Sequence, residues 1–161
     1  MGYRYIGSKA RIADAIIDYI GNGKESEGRF IDLFSGTGIV ASTAASNGWR
    51  IVINDMMRNA LVMSEASLLC TKEVPFEKLG GYANAQKMLN GLCGERGFFW
   101  REYSPASLNV VGVERKYFTE KNAMKIDAIV KQIHEWKRTD LISEKEFSLL
   151  MSIYLLKYSS F

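Results

Sequence analysis

Apolar positions along this chain follow a clean pattern as far as about residue 74 and a broken one after it. Ile12, Ile16, Ile17 and Ile20 recur at helical spacing, so a helix is predicted from a cap at Ser8 to a stop at Gly21. A polar loop runs from Gly21 to Gly28. The apolar run that starts at Phe30-Ile31 and ends in Asp32 reads as a strand, and residues 39–46 read as a helix that Gly48 stops. Ile51-Val52-Ile53 is a second strand, followed by Asn54-Asp55. A further helix is predicted from Met57 to about Lys72. The first part is therefore a helix followed by a β-α-β-α unit.

Beyond Pro75, Gly80-Gly81, Gly91, Gly94 and Gly97 cut the chain into short pieces, with a small helix predicted over Tyr82–Leu89. Phe98 to Tyr117 has no clean period. It mixes Phe98, Phe99, Trp100, Tyr103 and Tyr117 with Arg96, Arg101, Arg115 and Lys116. Two helices are predicted to follow. Thr119 caps the first, whose apolar face carries Ile126, Ile129, Val130, Ile133 and Trp136. Ser143-Glu144-Lys145-Glu146 opens the second as a capping box. Phe147, Leu149, Leu150, Ile153, Tyr154, Leu155 and Leu156 then cover most of its circumference, the pattern of a buried helix. Residues 1–74 thus read as an α/β part and 75–161 as a mainly helical region. With two strong strands only, a sheet edge and apolar surface are expected to stand exposed unless something covers them.

The strand ends carry the candidate chemistry. Gly36-Thr37-Gly38 lets the backbone turn tightly and lets a ligand approach it, and the next helix aims its first N–H groups the same way. Asp55 follows Gly36 at about the twenty-residue spacing of an acid that grips ribose hydroxyls. The pattern suits a nucleoside-bearing cofactor. NAD is one reading, since Gly36-Thr37-Gly38-Ile39-Val40-Ala41 fits G-x-G-x-x-G/A. Asp32 and Phe34-Ser35 stand against it, because a carboxylate sits badly beside a pyrophosphate. S-adenosylmethionine has no phosphate, and its amino group and sulfonium favour a carboxylate or an aromatic face. The bland alternative is two carboxylates that merely end strands. Gly23-Lys24 lacks the rest of a Walker pattern.

Asp32-Leu33-Phe34-Ser35-Gly36-Thr37-Gly38 looks like the cofactor motif of methyltransferases. Tyr3-Arg4-Tyr5-Ile6-Gly7-Ser8-Lys9 resembles the opening motif of the D12 class of adenine-specific DNA methyltransferases, the Dam-like family. So do Ile53-Asn54-Asp55-Met56 and, later, Tyr117-Phe118-Thr119-Glu120-Lys121-Asn122-Ala123-Met124-Lys125-Ile126-Asp127. The resemblance covers most of the chain in the family's order. It implies a Rossmann-like core, S-adenosylmethionine as methyl donor, and methylation of adenine N6 in double-stranded DNA by a restriction–modification or Dam-like enzyme. It places Asp32, Leu33, Phe34, Ser35, Gly36, Thr37, Gly38, Asp55 and Met56 at the cofactor, with Tyr5 and Lys9 over it. It makes Arg101, Arg115, Lys116 and Lys121 candidates for DNA contact; the plain alternative for them is an exposed loop.

One family motif is missing. The Asp-Pro-Pro-Tyr type segment that holds the target amine has no match here, since the prolines are Pro75 and Pro105 alone. The chain therefore reads as a truncated N-terminal part, inactive by itself. It is expected to pair with itself or with a complementary C-terminal fragment; the alternative is a non-catalytic binding fragment.

Composition changes this little. A formal charge of +3 over 161 residues permits nucleic-acid binding without arguing for it. No apolar run reaches membrane-spanning length and no signal peptide is visible, so a cytoplasmic setting is expected. Cys70 and Cys93 make no disulfide framework. With His134 as the one histidine, no metal site is assembled. His134 itself reads as a helix-surface residue, and Trp136 as core.

Overall fold

The computed structural model describes residues 9–25, 28–69 and 74–158. They fall into two compact units, one built from residues up to Val74 and the other from Pro75–Tyr154.

The first unit runs α1 (Ala13–Ile20), β1 (Arg29–Asp32), α2 (Ile39–Ser46), β2 (Arg50–Ile53) and α3 (Arg58–Leu69). The strands pair in parallel, with Arg29 opposite Arg50 and Asp32 opposite Ile53. Parallel pairing needs a crossover, and α2 supplies it. Side chains alternate as a pleated strand requires: Phe30, Asp32, Ile51 and Ile53 are half-buried, and Arg29, Ile31, Arg50 and Val52 exposed. α2 packs on both strands, α3 on β2, and α1 on α2. Ala41 and Ala44 of α2 are fully buried; small side chains let the neighbouring elements come close. Ile31 and Val52, partners in the register, remain exposed at 57% and 38%.

α1 departs from its predicted face. Ala13 and Ile17 are buried, but Ile12 and Ile20 are exposed. A single neighbouring helix takes in a narrower stripe than the four isoleucines span. The helix ends at Gly21 with φ 82°, as its stop signal requires. Ser8, its expected cap, lies outside the described residues.

The second unit holds α4 (Tyr82–Gly91), α5 (Phe98–Tyr103), α6 (Ser107–Val111), α7 (Glu120–Arg138) and, as far as Tyr154, α8 (Glu144–Tyr158). Ala123, Ile126, Ile129, Ile133 and Trp136 of α7 are buried, as are Leu89 of α4 and Phe147 and Leu150 of α8. Burying each large apolar side chain stabilises by roughly 1.5–3 kcal/mol. The caps follow the sequence. Thr119 Oγ1 accepts from Asn122 N at 3.2 Å. Ser143 N donates to Glu146 Oε2 at 2.7 Å, and Glu146 N donates back to Ser143 Oγ at 3.3 Å. His134 is exposed, with its ring edge-on to Phe147 at 5.3 Å.

Between Phe98 and Tyr117, where the apolar pattern has no period, stand two short helices. α5 starts where Asp127 of α7 accepts three backbone N–H groups: Gly97 at 3.0 Å, Phe99 at 2.9 Å and Trp100 at 2.8 Å. A Cβ on Gly97 would lie 2.6 Å from Asp127 Cγ, so only glycine fits. Among the described residues, no helix is long and apolar enough to cross a membrane, and no group of His, Cys, Asp and Glu could hold a metal ion.

Candidate functional site

The tips of β1 and β2 are knitted beyond the strands. Asn54 N donates to Asp32 O at 2.8 Å, Ser35 N to Asn54 O at 3.0 Å, and Asn54 Nδ2 to Leu33 O at 3.0 Å. This brings the β1–α2 turn beside Asp55. Gly36 N then donates to Asp55 Oδ2 and Met57 N to Oδ1, both at 2.9 Å. Hydrogen bonds from Met57 and Gly36 hold the Asp55 carboxyl below the usual carboxylate range. It stays ionised, and each oxygen keeps a lone pair for a further donor.

The two turn glycines answer to different demands. Gly38 has φ 77°, and a Cβ there would stand 2.6 Å from Ser64 Cα; it lets α2 meet α3. Ser35 and Ser64, both buried, close the same contact through a 3.1 Å hydroxyl bond. Gly36 has φ 52°, yet nothing lies within 4 Å of where its Cβ would be. Its glycine is set by backbone conformation and borders open space. Around that space Leu33, Phe34 and Met56 are exposed, Phe34 at 77% and Met56 at 94%. Thr37 is half-buried. Asp32 Oδ1 accepts only a long bond from Phe34 N, 3.3 Å, among the described residues. Lys9 is exposed ahead of α1, and its ammonium makes no bond to this cluster. Tyr5 lies outside the described residues.

The basic candidates belong to the second unit. Phe98, Phe99, Tyr103, Tyr117 and Phe118 form a chain of ring contacts with centroids 5.7–6.3 Å apart. Phe98 and Tyr117 are the exposed members, at 53% and 61%. Beside them Arg101 Nε pairs with Glu102 Oε1 at 2.9 Å, and Arg115 Nη1 with Glu102 Oε2 at 3.3 Å. Lys116 pairs with Glu114 at 2.9 Å. Lys121 is exposed in the first turn of α7, without an ion pair among the described residues. Arg101 and Arg115 are thus brought together. Reading the sequence missed the carboxylate between them: Glu102 has no periodic context to mark it. Asp127 did leave a signal, being a carboxylate on the apolar side of α7, three residues before Val130 and four after Ala123.

Residues 5–159 match the D12 class N6 adenine-specific DNA methyltransferase family. The chain belongs to that family. Type II methyltransferase M.FokI of Planomicrobium okeanokoites is 33% identical over 159 residues, covering 94% of this chain and 24% of the relative. Type II methyltransferase M.NlaIII of Neisseria lactamica is 31% identical, covering 94% of this chain and 43% of the relative. Modification methylase StsI of Streptococcus sanguinis is 31% identical, covering 92% and 23%. The chain thus spans from about a quarter to under half of the length of these methylases. No solved structure matches it with significance. Methyltransferases of this family generally use S-adenosylmethionine and act on DNA.

Proposed function

We propose that this chain is the cofactor-holding and DNA-facing part of a methylase that modifies adenine N6 in double-stranded DNA, within a restriction–modification system or as a Dam-like enzyme. The observation that carries the cofactor reading is the Asp55–Gly36 bond beside open space. It gives an ionised acceptor, a glycine whose missing side chain leaves room for a ligand, and exposed apolar groups in one place. Asp55 holds the ribose hydroxyls through its remaining lone pairs. Asp32 takes the amino group, and Phe34 and Met56 flank the apolar and sulfonium parts. Ser35, Thr37 and Gly38 shape the turn as the start of a Rossmann-like core, with Tyr5 and Lys9 closing over it. S-adenosylmethionine supplies a methyl group on a sulfonium, open to direct displacement by the adenine amine. Arg101, Arg115, Lys116 and Lys121 meet DNA phosphates, while Phe98 and Tyr117 offer faces to bases drawn from the stack. Exposed, unpaired Cys93 suits a reducing cytoplasm.

The exposed Ile31–Val52 face and the span relative to the longer methylases support a second element of the reading. This stretch works with further polypeptide, either a C-terminal fragment or another copy. Holding the amine in line with the methyl carbon is worth roughly 7–11 kcal/mol of barrier, and no adjacent prolines exist here to build the slot that does it. Calorimetric titration should show binding of S-adenosylmethionine and none of NAD. Labelled methyl should reach duplex DNA only when a segment bearing an Asp-Pro-Pro-Tyr type motif is supplied. Efficient transfer by the monomeric 161-residue chain would overturn the division of labour.

A further inference from the structure

Glu102 sits between the two arginines that the proposed function sends to phosphate. Its two oxygens are split, Oε1 to Arg101 and Oε2 to Arg115. Its side chain is 19% exposed, against 51% for Arg101 and 39% for Arg115. The carboxylate therefore lies beneath two more exposed guanidinium groups. A phosphate diester also presents two anionic oxygens, and guanidinium forks bind carboxylate and phosphate by the same geometry.

The surroundings fix the backbone, and one bond besides the Glu102 carboxylate tethers the Arg115 side chain. Buried Ser107 accepts from Arg115 N at 2.9 Å and donates to Val113 O at 2.8 Å, so the loop ahead of α7 is pinned at Arg115. Phe118 N donates to Tyr103 O at 3.0 Å, which ties the end of that loop to α5. Arg115 Nη1 also donates to the backbone oxygen of Glu102 at 3.0 Å, a bond that does not depend on the carboxylate. The ion pairs themselves are of the partly exposed kind, weak enough to exchange for a better anion.

We propose that Glu102 is a built-in competitor for DNA phosphate, holding Arg101 and Arg115 together in the DNA-free protein and releasing them to the backbone on binding. The proposal rests on the reading of both arginines as phosphate contacts. Its consequence is selectivity. Glu102 lowers affinity for any duplex, so contacts that depend on base sequence contribute a larger share of stable binding.

Fluorescence anisotropy with a labelled duplex, across a range of salt, tests this in four proteins: wild type, Glu102→Gln, Arg101→Ala/Arg115→Ala, and the triple variant. Glu135→Gln, which frees Arg138 on α7, controls for loss of any acidic charge. Glu102→Gln is expected to bind about three- to tenfold tighter, as loss of two partly exposed ion pairs implies. Its log–log salt slope should steepen by about one phosphate equivalent, roughly 0.9. Glu135→Gln should gain less than twofold, and the Glu102→Gln gain should vanish in the triple variant. Weaker binding by the double arginine variant with no gain from Glu102→Gln overturns the competitor while leaving the phosphate contacts standing. A gain that persists in the triple variant also overturns it. Unchanged binding by the double variant removes the phosphate contacts and the competitor together. A second readout needs no variant: the Arg101 Nε–H resonance of the wild type should shift as duplex is added, and its failure to move during saturable binding overturns the release.

Discussion

Two aspartates in this molecule use the same chemistry for different ends. Asp55 bridges Gly36 N and Met57 N in the first unit; Asp127 bridges Gly97, Phe99 and Trp100 N in the second. Each carboxylate ties a glycine-bearing turn to a distant element. Asp127 is 9% exposed and lies against the glycine it holds, so that a Cβ on Gly97 would clash. Asp55 is half-buried, and the glycine it holds faces open space. A buried carboxylate that spends its acceptors on backbone is a structural pin. A carboxylate that spends one acceptor per oxygen and borders empty space is a pin with capacity left for a ligand. The glycines tell the two apart more clearly than the acids do.

Removing the buried pin should have the larger effect on stability. Asp127→Ala leaves three part-buried donors at the start of α5 without their acceptor. Water reaches them in part, so the total stays below three full penalties of about 1–3 kcal/mol, and a loss of roughly 2–4 kcal/mol is expected. Urea unfolding monitored by circular dichroism measures it. Asp127→Asn keeps one acceptor oxygen and should recover part of the loss. A loss under about 0.5 kcal/mol, the size of an ordinary surface substitution, would show that α5 is held by its aromatic contacts instead.

Removing the second pin should divide the effect differently. Asp55→Ala is expected to weaken S-adenosylmethionine binding measurably, through the unpaired polar groups it leaves on the ligand and the turn. Its cost to unfolding stability should be smaller than that of Asp127→Ala, because water reaches the N–H groups it releases. Calorimetric titration beside urea unfolding gives both numbers. Equal binding by variant and parent removes Asp55 from the ribose; a stability loss as large as that of Asp127→Ala makes it a structural pin only.

Much of the first unit was readable because its signals are local. The β1–α2 turn, its glycines and Asp55 lie within twenty-odd residues, and strand, turn and helix each announce themselves by period or by glycine. The same holds for the caps at Thr119 and Ser143, whose partners stand three residues away. α5 was not readable. It is six residues long, too short for a period, and its cap comes from Asp127, about thirty residues further on. The Glu102 pairing with Arg115 likewise crosses from α5 to a loop, and nothing in either segment names the other. α1 shows the opposite error: four isoleucines at helical spacing promise a broad buried face, and the described neighbours cover only part of it.

Acid should test the Asp55 pin, by the smallest effect of all. Hydrogen bonds from Met57 and Gly36 stabilise the ionised form of Asp55, so its folded-state pKa lies below the ordinary 3.8. A depressed carboxylate pKa adds stability that is fully present above the unfolded-state value. That contribution is lost as pH falls through the folded-state value. The turn should therefore stay closed from neutral pH down to the ordinary carboxylate range and open only below it. The Gly36 and Met57 amide resonances report this directly, since protonation of Asp55 removes the anionic acceptor from both. Their shifts should titrate together, with a midpoint under 3.8, and the transition should disappear in Asp55→Asn. A midpoint at or above 3.8 would mean that the two N–H bonds do not hold Asp55 in solution. The carboxylate would then be free of the turn, and the geometry that sets it beside Gly36 would have to come from the ligand.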